Sequence, residues 1–194
     1  GEVRGDAARA LAALGRRSGR PIEILEADGA ATLARLLRGA VLVVDALFGT
    51  GLNAPLAGLQ RDVVELINAS GVPVLALDLP SGLDADRGRP WGVAIQAEAT
   101  ATFGFAKLGL VQFPGAQHVG QLAVVDIGID ADALAAVAPK AQLLEAAEVG
   151  RLVPRRDPEF HKGLAGHVGV LAGSRGHTGA ALLCAHACSR IGAG

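Results

Sequence analysis

The chain is predicted to fold as an α/β protein built on a mostly parallel sheet covered by helices on both faces, and three features predict it. Short apolar runs rich in β-branched residues alternate with segments of helical spacing, and several of these runs end in an aspartate. A hydrophobic fraction of 51% against 19% charged residues then supplies a well-filled core. Two parallel strands need a long crossover between them, and a helix is the common one, so the alternation itself implies the layered arrangement.

The elements follow in order. Residues 6–14 are alanine-rich with Leu11 and Leu14 at helical spacing, and the basic stretch 15–19 suits a helix C-terminus. Residues 21–25 alternate apolar and polar as a strand does, and residues 30–37 return to helical spacing. Residues 40–44 form a continuous apolar run ending at Asp45, which reads as a buried strand. Residues 61–69 place Val63, Val64, Leu66 and Ile67 on one helical face, and residues 73–77 form a second buried strand ending at Asp78. Further strands are predicted at 99–103 and at 122–125, the latter ending at Asp126, for a sheet of about five or more strands.

Residues 131–149 are again alanine-rich and lead into the basic segment 151–158, where Pro154 and Pro158 mark a domain boundary. Beyond it, residues 167–174 read as a strand running into a glycine turn and residues 178–191 as the helix after it, the beginning of a second α/β unit. The chain starts at Gly1, contains no methionine and stops at Gly194 directly after that helix, so it reads as a fragment at both ends.

A formal charge of −1 gives no long-range field to hold nucleic acid or an acidic membrane surface, so phosphate recognition must come from local backbone groups. No apolar run reaches the length of roughly 18 residues needed to span a bilayer, and the N-terminus lacks the layout of a signal peptide. Cys184 and Cys188 lie in a helical stretch without a zinc pattern, which fits a reduced, cytoplasmic compartment. His118, His177 and His186 stand without a partner at ligand or triad spacing, which leaves them surface or packing roles. There is no Ser-His-Asp order and no Walker loop.

Candidate chemistry gathers where two buried strands end. Asp45 and Asp78 each close such a strand, and each is followed by a glycine-bearing loop: Gly49, Thr50, Gly51, Leu52, Asn53, Ala54 and Pro55 in the first, Ser81 and Gly82 in the second. In open parallel sheets that rim is where ligands bind, and glycines there let backbone N–H groups approach phosphate oxygens. A single such aspartate is most often a strand-end cap. Two at neighbouring strand ends, with the Ser81 hydroxyl close by, make an oxygen cluster suited to a cation or to proton transfer. Lys107 follows the strand at 99–103 in an apolar context. It is either a solvated surface group or, turned inward, a partner for a phosphate or for the Asp78 carboxylate.

The stretch Asp45-Ala46-Leu47-Phe48-Gly49-Thr50-Gly51-Leu52 resembles the signature loop of the NAD(P)H-hydrate epimerase family, also called the YjeF N-terminal domain family. Leu77-Asp78-Leu79-Pro80-Ser81-Gly82, then Thr100-Ala101-Thr102-Phe103 with Lys107-Leu108-Gly109-Leu110, then Asp126-Ile127-Gly128-Ile129 follow in the family's order. The resemblance implies a Rossmann-like three-layer α/β/α domain over residues 1–140 that interconverts the two epimers of NADHX and NADPHX. It implies a potassium ion on Asp45 and Ser81 and contacts to the cofactor hydrate from Gly49 to Pro55 and Asp78. With that substrate, Asp78 is expected to act as acid/base while the hydroxyl leaves and returns, with Lys107 or the cation stabilising charge nearby. Family members also carry an Asn-Asn-Gly-Gly-Asp-Gly loop that adds a potassium ligand. The corresponding place here reads Gly1-Glu2-Val3-Arg4-Gly5-Asp6, of which Gly5 and Asp6 match.

After a linker at 141–160, residues 161–194 resemble the start of an ADP-dependent (or ATP-dependent) NAD(P)H-hydrate dehydratase domain, a ribokinase-like fold. His161-Lys162-Gly163, Gly166-His167-Val168, Ala172-Gly173-Ser174 and Thr178-Gly179-Ala180-Ala181 carry that likeness. The same residues also suit a plain strand, turn and helix with small residues for close packing. Two rival readings are a non-catalytic nucleotide-binding module and a sugar or vitamin kinase, the latter without its phosphoryl-transfer motif. An unpaired sheet edge would favour self-association into a homo-oligomer.

Overall fold

In the computed structural model, residues 5, 8–10, 12–13, 29–137, 139, 141–153 and 155–193 are described. The chain divides into two units, Gly1–Val137 and Ala138–Gly194. Of the helix predicted at 6–14, residues 8–10, 12 and 13 are helical, and the rest of it lies outside the described residues, as does the strand predicted at 21–25.

The first unit holds four parallel strands in the order β1 (Val43–Asp45), β2 (Val74–Leu77), β3 (Ala99–Phe103) and β4 (Gln121–Val125). Helix α1 (Gly29–Leu37) precedes β1 and α2 (Leu59–Ala69) links β1 to β2. A short helix α3 (Leu108–Val111) and a 3-10 turn at Gly115–His118 link β3 to β4, and α4 (Ala131–Val137) follows. Between β2 and β3 the chain crosses through irregular structure instead of a helix.

Strand register decides which side chains share a face. Val43 pairs with Val74, Asp45 with Ala76, Ala76 with Thr100, and Thr100 with Leu122. On this face Asp45, Val74, Ala76, Thr100 and Thr102 are all buried. Leu33 and Leu37 of α1, one helical turn apart, and Val64 and Ile67 of α2 pack with Val43 and Val74 into one core cluster. Leu79, Leu83, Leu110 and Val119 make a second, with Leu122 against it. The opposite face, carrying Val44, Leu77, Phe103 and Val125, is half-buried to exposed, with Val44 54% accessible. Strands laid down in sequence order never reverse direction, so right-handed crossovers all return on the same side. The covering by α1, α2 and α3 is therefore concentrated on one face.

The first strand is shorter than its apolar run. Val41 is 90% exposed and outside the ladder, so apolar character alone overextended it. Of the five or more strands expected, four lie among the described residues.

In the second unit, α5 (Ala146–Leu152) opens on a capping box between Glu145 and Glu148, and α6 (Gly179–Ile191) closes on Gly192 at φ 97°. The Arg156 guanidinium donates to the carbonyls of Ile191 and Gly192, at 2.7 and 3.2 Å, at the negative end of α6. The strand predicted at 167–174 does not form. Only an isolated bridge joins Ser174 to His177, and Leu171 is fully exposed. A buried-strand sequence becomes a strand by pairing, and no other strand runs beside it among the described residues. No helix among the described residues is long and apolar enough to cross a membrane.

Candidate functional site

Because β1 and β2 are parallel neighbours, their carboxyl ends share one rim, and the aspartates that close the two apolar runs come to that rim together. Each then makes its own cluster.

Asp45 is 2% exposed and Ser81 fully buried. Asp45 Oδ2 accepts the backbone N–H of Ser81 at 2.8 Å, and Oδ1 accepts the Ser81 hydroxyl at 2.5 Å and the Leu47 N–H at 3.3 Å. Ser81 Oγ in turn accepts the Phe48 N–H at 2.9 Å and lies 3.4 Å from the Phe48 carbonyl oxygen. Burying a carboxyl group is costly unless its oxygens are hydrogen-bonded, as both are here. The cluster ties the loop after β1 to the loop after β2. It also places a carboxylate, a hydroxyl and a carbonyl oxygen together, a donor set for a hard monovalent cation.

The second cluster lies where β2 and β3 end. Asp78 is the one described non-glycine residue at positive φ, 70°, a conformation that costs of order 1 kcal/mol for most L-residues and that aspartate tolerates better than most. Its N–H continues the ladder to the Ala101 carbonyl at 2.8 Å, while the bend turns the carboxylate toward β3. Asp78 Oδ1 accepts the Phe103 N–H at 3.2 Å and pairs with Lys107 Nζ. Lys107 Nζ also donates to Thr102 Oγ1 at 2.9 Å and to the Phe103 carbonyl at 3.0 Å. Lys107 therefore turns inward. Its side chain and that of Asp78 are each 21% exposed, so the pair is shielded yet reachable. Asp78 Oδ2 has no hydrogen-bond partner among the described residues.

The Gly49 to Pro55 loop is largely open to solvent, apart from half-buried Leu52. A Cβ built on Gly49 or Gly51 would meet nothing within 4 Å, so no protein neighbour demands glycine at either position. Thr50, Gly51, Leu52 and Asn53 form one wall of a cavity of about 480 Å³ whose other wall is the Asp84–Arg87 turn and Trp91. In that turn Asp84 Oδ1 accepts the N–H groups of Asp86 and Arg87 at 2.8 and 2.9 Å. The Arg87 N–H, and after it that of Asp86, hold the Asp84 carboxyl below its ordinary range against the opposing effect of burial. The sequence reading missed Thr102 and Trp91. The two-residue period of the strand at 99–103 puts Thr102 on the buried face with Thr100. Trp91 is the chain's one tryptophan, standing between Pro90 and Gly92.

The family model described as YjeF-related protein N-terminus matches residues 2–109, a span that contains Asp45, Asp78, Ser81 and Lys107. The chain belongs to this family. It is 42% identical over 193 residues to the bifunctional NAD(P)H-hydrate repair enzyme Nnr of Moorella thermoacetica, an alignment covering 100% of this chain and 36% of that protein. With the Thermofilum pendens enzyme of the same name the identity is 42% over 184 residues, covering 92% and 33%. The NAD(P)H-hydrate epimerase of Levilactobacillus brevis is 45% identical over 90 residues, 46% of this chain and 42% of that one. The chain thus spans about a third of the length of the bifunctional relatives. The crystal structure of yeast ynu0, YNL200c, superposes with a TM-score of 0.54 over 76% of this chain and 60% of that one, at 19% identity, a likeness of fold.

Proposed function

We propose that the first unit epimerises the hydrated carbon of NADHX and NADPHX, with Asp78 as acid and base and Lys107 as its charge partner. The observation that carries this reading is the Asp78–Lys107–Thr102 cluster at the carboxyl rim, where the other Asp78 oxygen has no hydrogen-bond partner among the described residues. The names of the relatives supply the substrate class.

At the hydrated carbon a hydroxyl sits next to the ring nitrogen. A proton passed from the Lys107 ammonium through the Asp78 carboxylate bonded to it lets the hydroxyl leave as water while the nitrogen lone pair forms an iminium. Water then adds to the other face and the proton returns by the same route, so atoms and charge balance over the cycle. The Lys107 ammonium, fixed by three acceptors, holds the carboxylate in place and offsets its charge. The Gly49 to Pro55 loop supplies backbone donors for the pyrophosphate.

The oxygen donors of Asp45, Ser81 and Phe48 fit potassium, and a bound ion there would add positive charge beside the loop that holds the phosphates. ADP (or ATP) would serve the dehydratase domain of the full-length protein, whose beginning residues 161–194 resemble. The free thiols of Cys184 and Cys188 support a reducing cytoplasm, and the exposed outer strand β4 supports self-association.

The test follows the separated epimers of NADHX by NMR, with potassium or sodium as the counter-ion. Equilibration accelerated by the chain in potassium is the expected result. Equilibration no faster than in buffer would end the proposal.

A further inference from the structure

Trp91 is half-buried, and its burial carries a cost. Its indole N–H is buried and has no hydrogen-bond partner among the described residues. An orphaned buried donor is destabilising, whereas a phenylalanine or leucine would fill comparable space with none.

The backbone around it is fixed from two sides. The Trp91 N–H donates to the Gly82 carbonyl at 2.7 Å, and its own carbonyl accepts the Leu56 N–H at 3.0 Å. Trp91 is thereby locked both to the loop after β2 and to the segment after β1. Gly82 enforces the closeness: it sits at φ 94°, and a Cβ there would lie 2.1 Å from the Val93 carbonyl oxygen. A large ring is thus held ready along a cavity of about 480 Å³, facing the Thr50–Asn53 loop. That volume has room for a base and its ribose and lies within the range of about 300 to 1,000 Å³ usual for small-ligand pockets.

We infer that Trp91 is the platform on which the adenine of the dinucleotide stacks. The inference rests on the epimerase reading and deepens it. Of the two rings in the proposed substrate, the hydrated nicotinamide is puckered and non-aromatic, so only the purine offers a flat π face to an indole. The nicotinamide end is left for Asp78 and Lys107.

The chain has one tryptophan and no tyrosine, so its intrinsic emission reports Trp91 directly. Titrating the full chain with adenosine monophosphate should quench that emission saturably, while nicotinamide mononucleotide and ribose 5-phosphate should not. By calorimetry, Trp91→Leu should weaken adenosine monophosphate about tenfold and Trp91→Phe should restore most of it; circular dichroism melts confirm that both variants fold. Undiminished affinity in a folded Trp91→Leu, or quenching by nicotinamide mononucleotide in place of adenosine monophosphate, overturns the inference. If either occurs while the wild-type chain still epimerises NADHX, only the inference fails. A wild-type chain that neither epimerises nor binds any of these probes defeats both it and the functional reading.

Discussion

Asp78 concentrates the residue-scale argument, because its backbone conformation and its chemistry are the same fact: the left-handed bend aims the carboxylate at β3 and at Lys107. Asparagine tolerates that bend as well as aspartate does and keeps the shape of the side chain. Asp78→Asn should therefore lower the epimerisation rate by about a hundredfold or more while the fold survives. Parallel rate and thermal melting measurements check both halves, and a full rate would remove Asp78 from the chemistry. Asp84 gives a pH prediction. Its carboxyl is held low chiefly by the Arg87 N–H, so the turn it organises is stabilised above the ordinary carboxylate range and loses that support as pH falls through the depressed value. Asp84→Ala should lower the melting temperature and abolish this acid dependence, read from melting temperature against pH. Both aspartates at strand ends were legible in the sequence. The inward turn of Lys107 was not, since only the placement of Thr102 and the Phe103 carbonyl decides between solvent and carboxylate.

At the scale of elements, the site depends on how tightly the β2–β3 crossing folds against itself. The Ile95 N–H donates to the Ser81 carbonyl at 2.9 Å, and an antiparallel bridge joins Leu83 to Pro90. Gly82 permits both, and Gly109 permits α3 to press on the same turn, where a Cβ would lie 2.2 Å from the Asp84 carbonyl oxygen. Backbone atoms on both sides leave no flexible side chain to give way. Gly82→Ala should destabilise the unit by more than about 3 kcal/mol, whereas Gly51→Ala should leave stability within about 0.5 kcal/mol and act only on cofactor affinity. Denaturant unfolding of the two variants makes the comparison. The buried strands were readable from their apolar runs, and the strand at 99–103 was placed to the residue. The failure at 167–174 has a plain cause: alternation and β-branching register suitability for pairing, and pairing needs a neighbour.

For the molecule as a whole, both core clusters and every residue assigned to the site lie before Val137. A chain ending at Val137 should keep its epimerisation rate and potassium response within about threefold of the full chain, because no group in the proposed chemistry is removed. Steady-state kinetics on the two lengths tests this, and loss of activity in a folded short chain would assign the second unit a direct part.

The sequence by itself determined the parallel α/β class, the family, and the two aspartates that come to one rim, because strand periodicity and parallel connection force consecutive strand ends to the same edge. Only the tertiary structure decided that Lys107 answers Asp78, that Ser81 and Asp45 lock two loops together, and that Trp91 lines the cavity beside Thr50. These are contacts between segments remote in sequence, and their geometry is set by packing and hydrogen bonding across the fold, which no local pattern of residue types encodes.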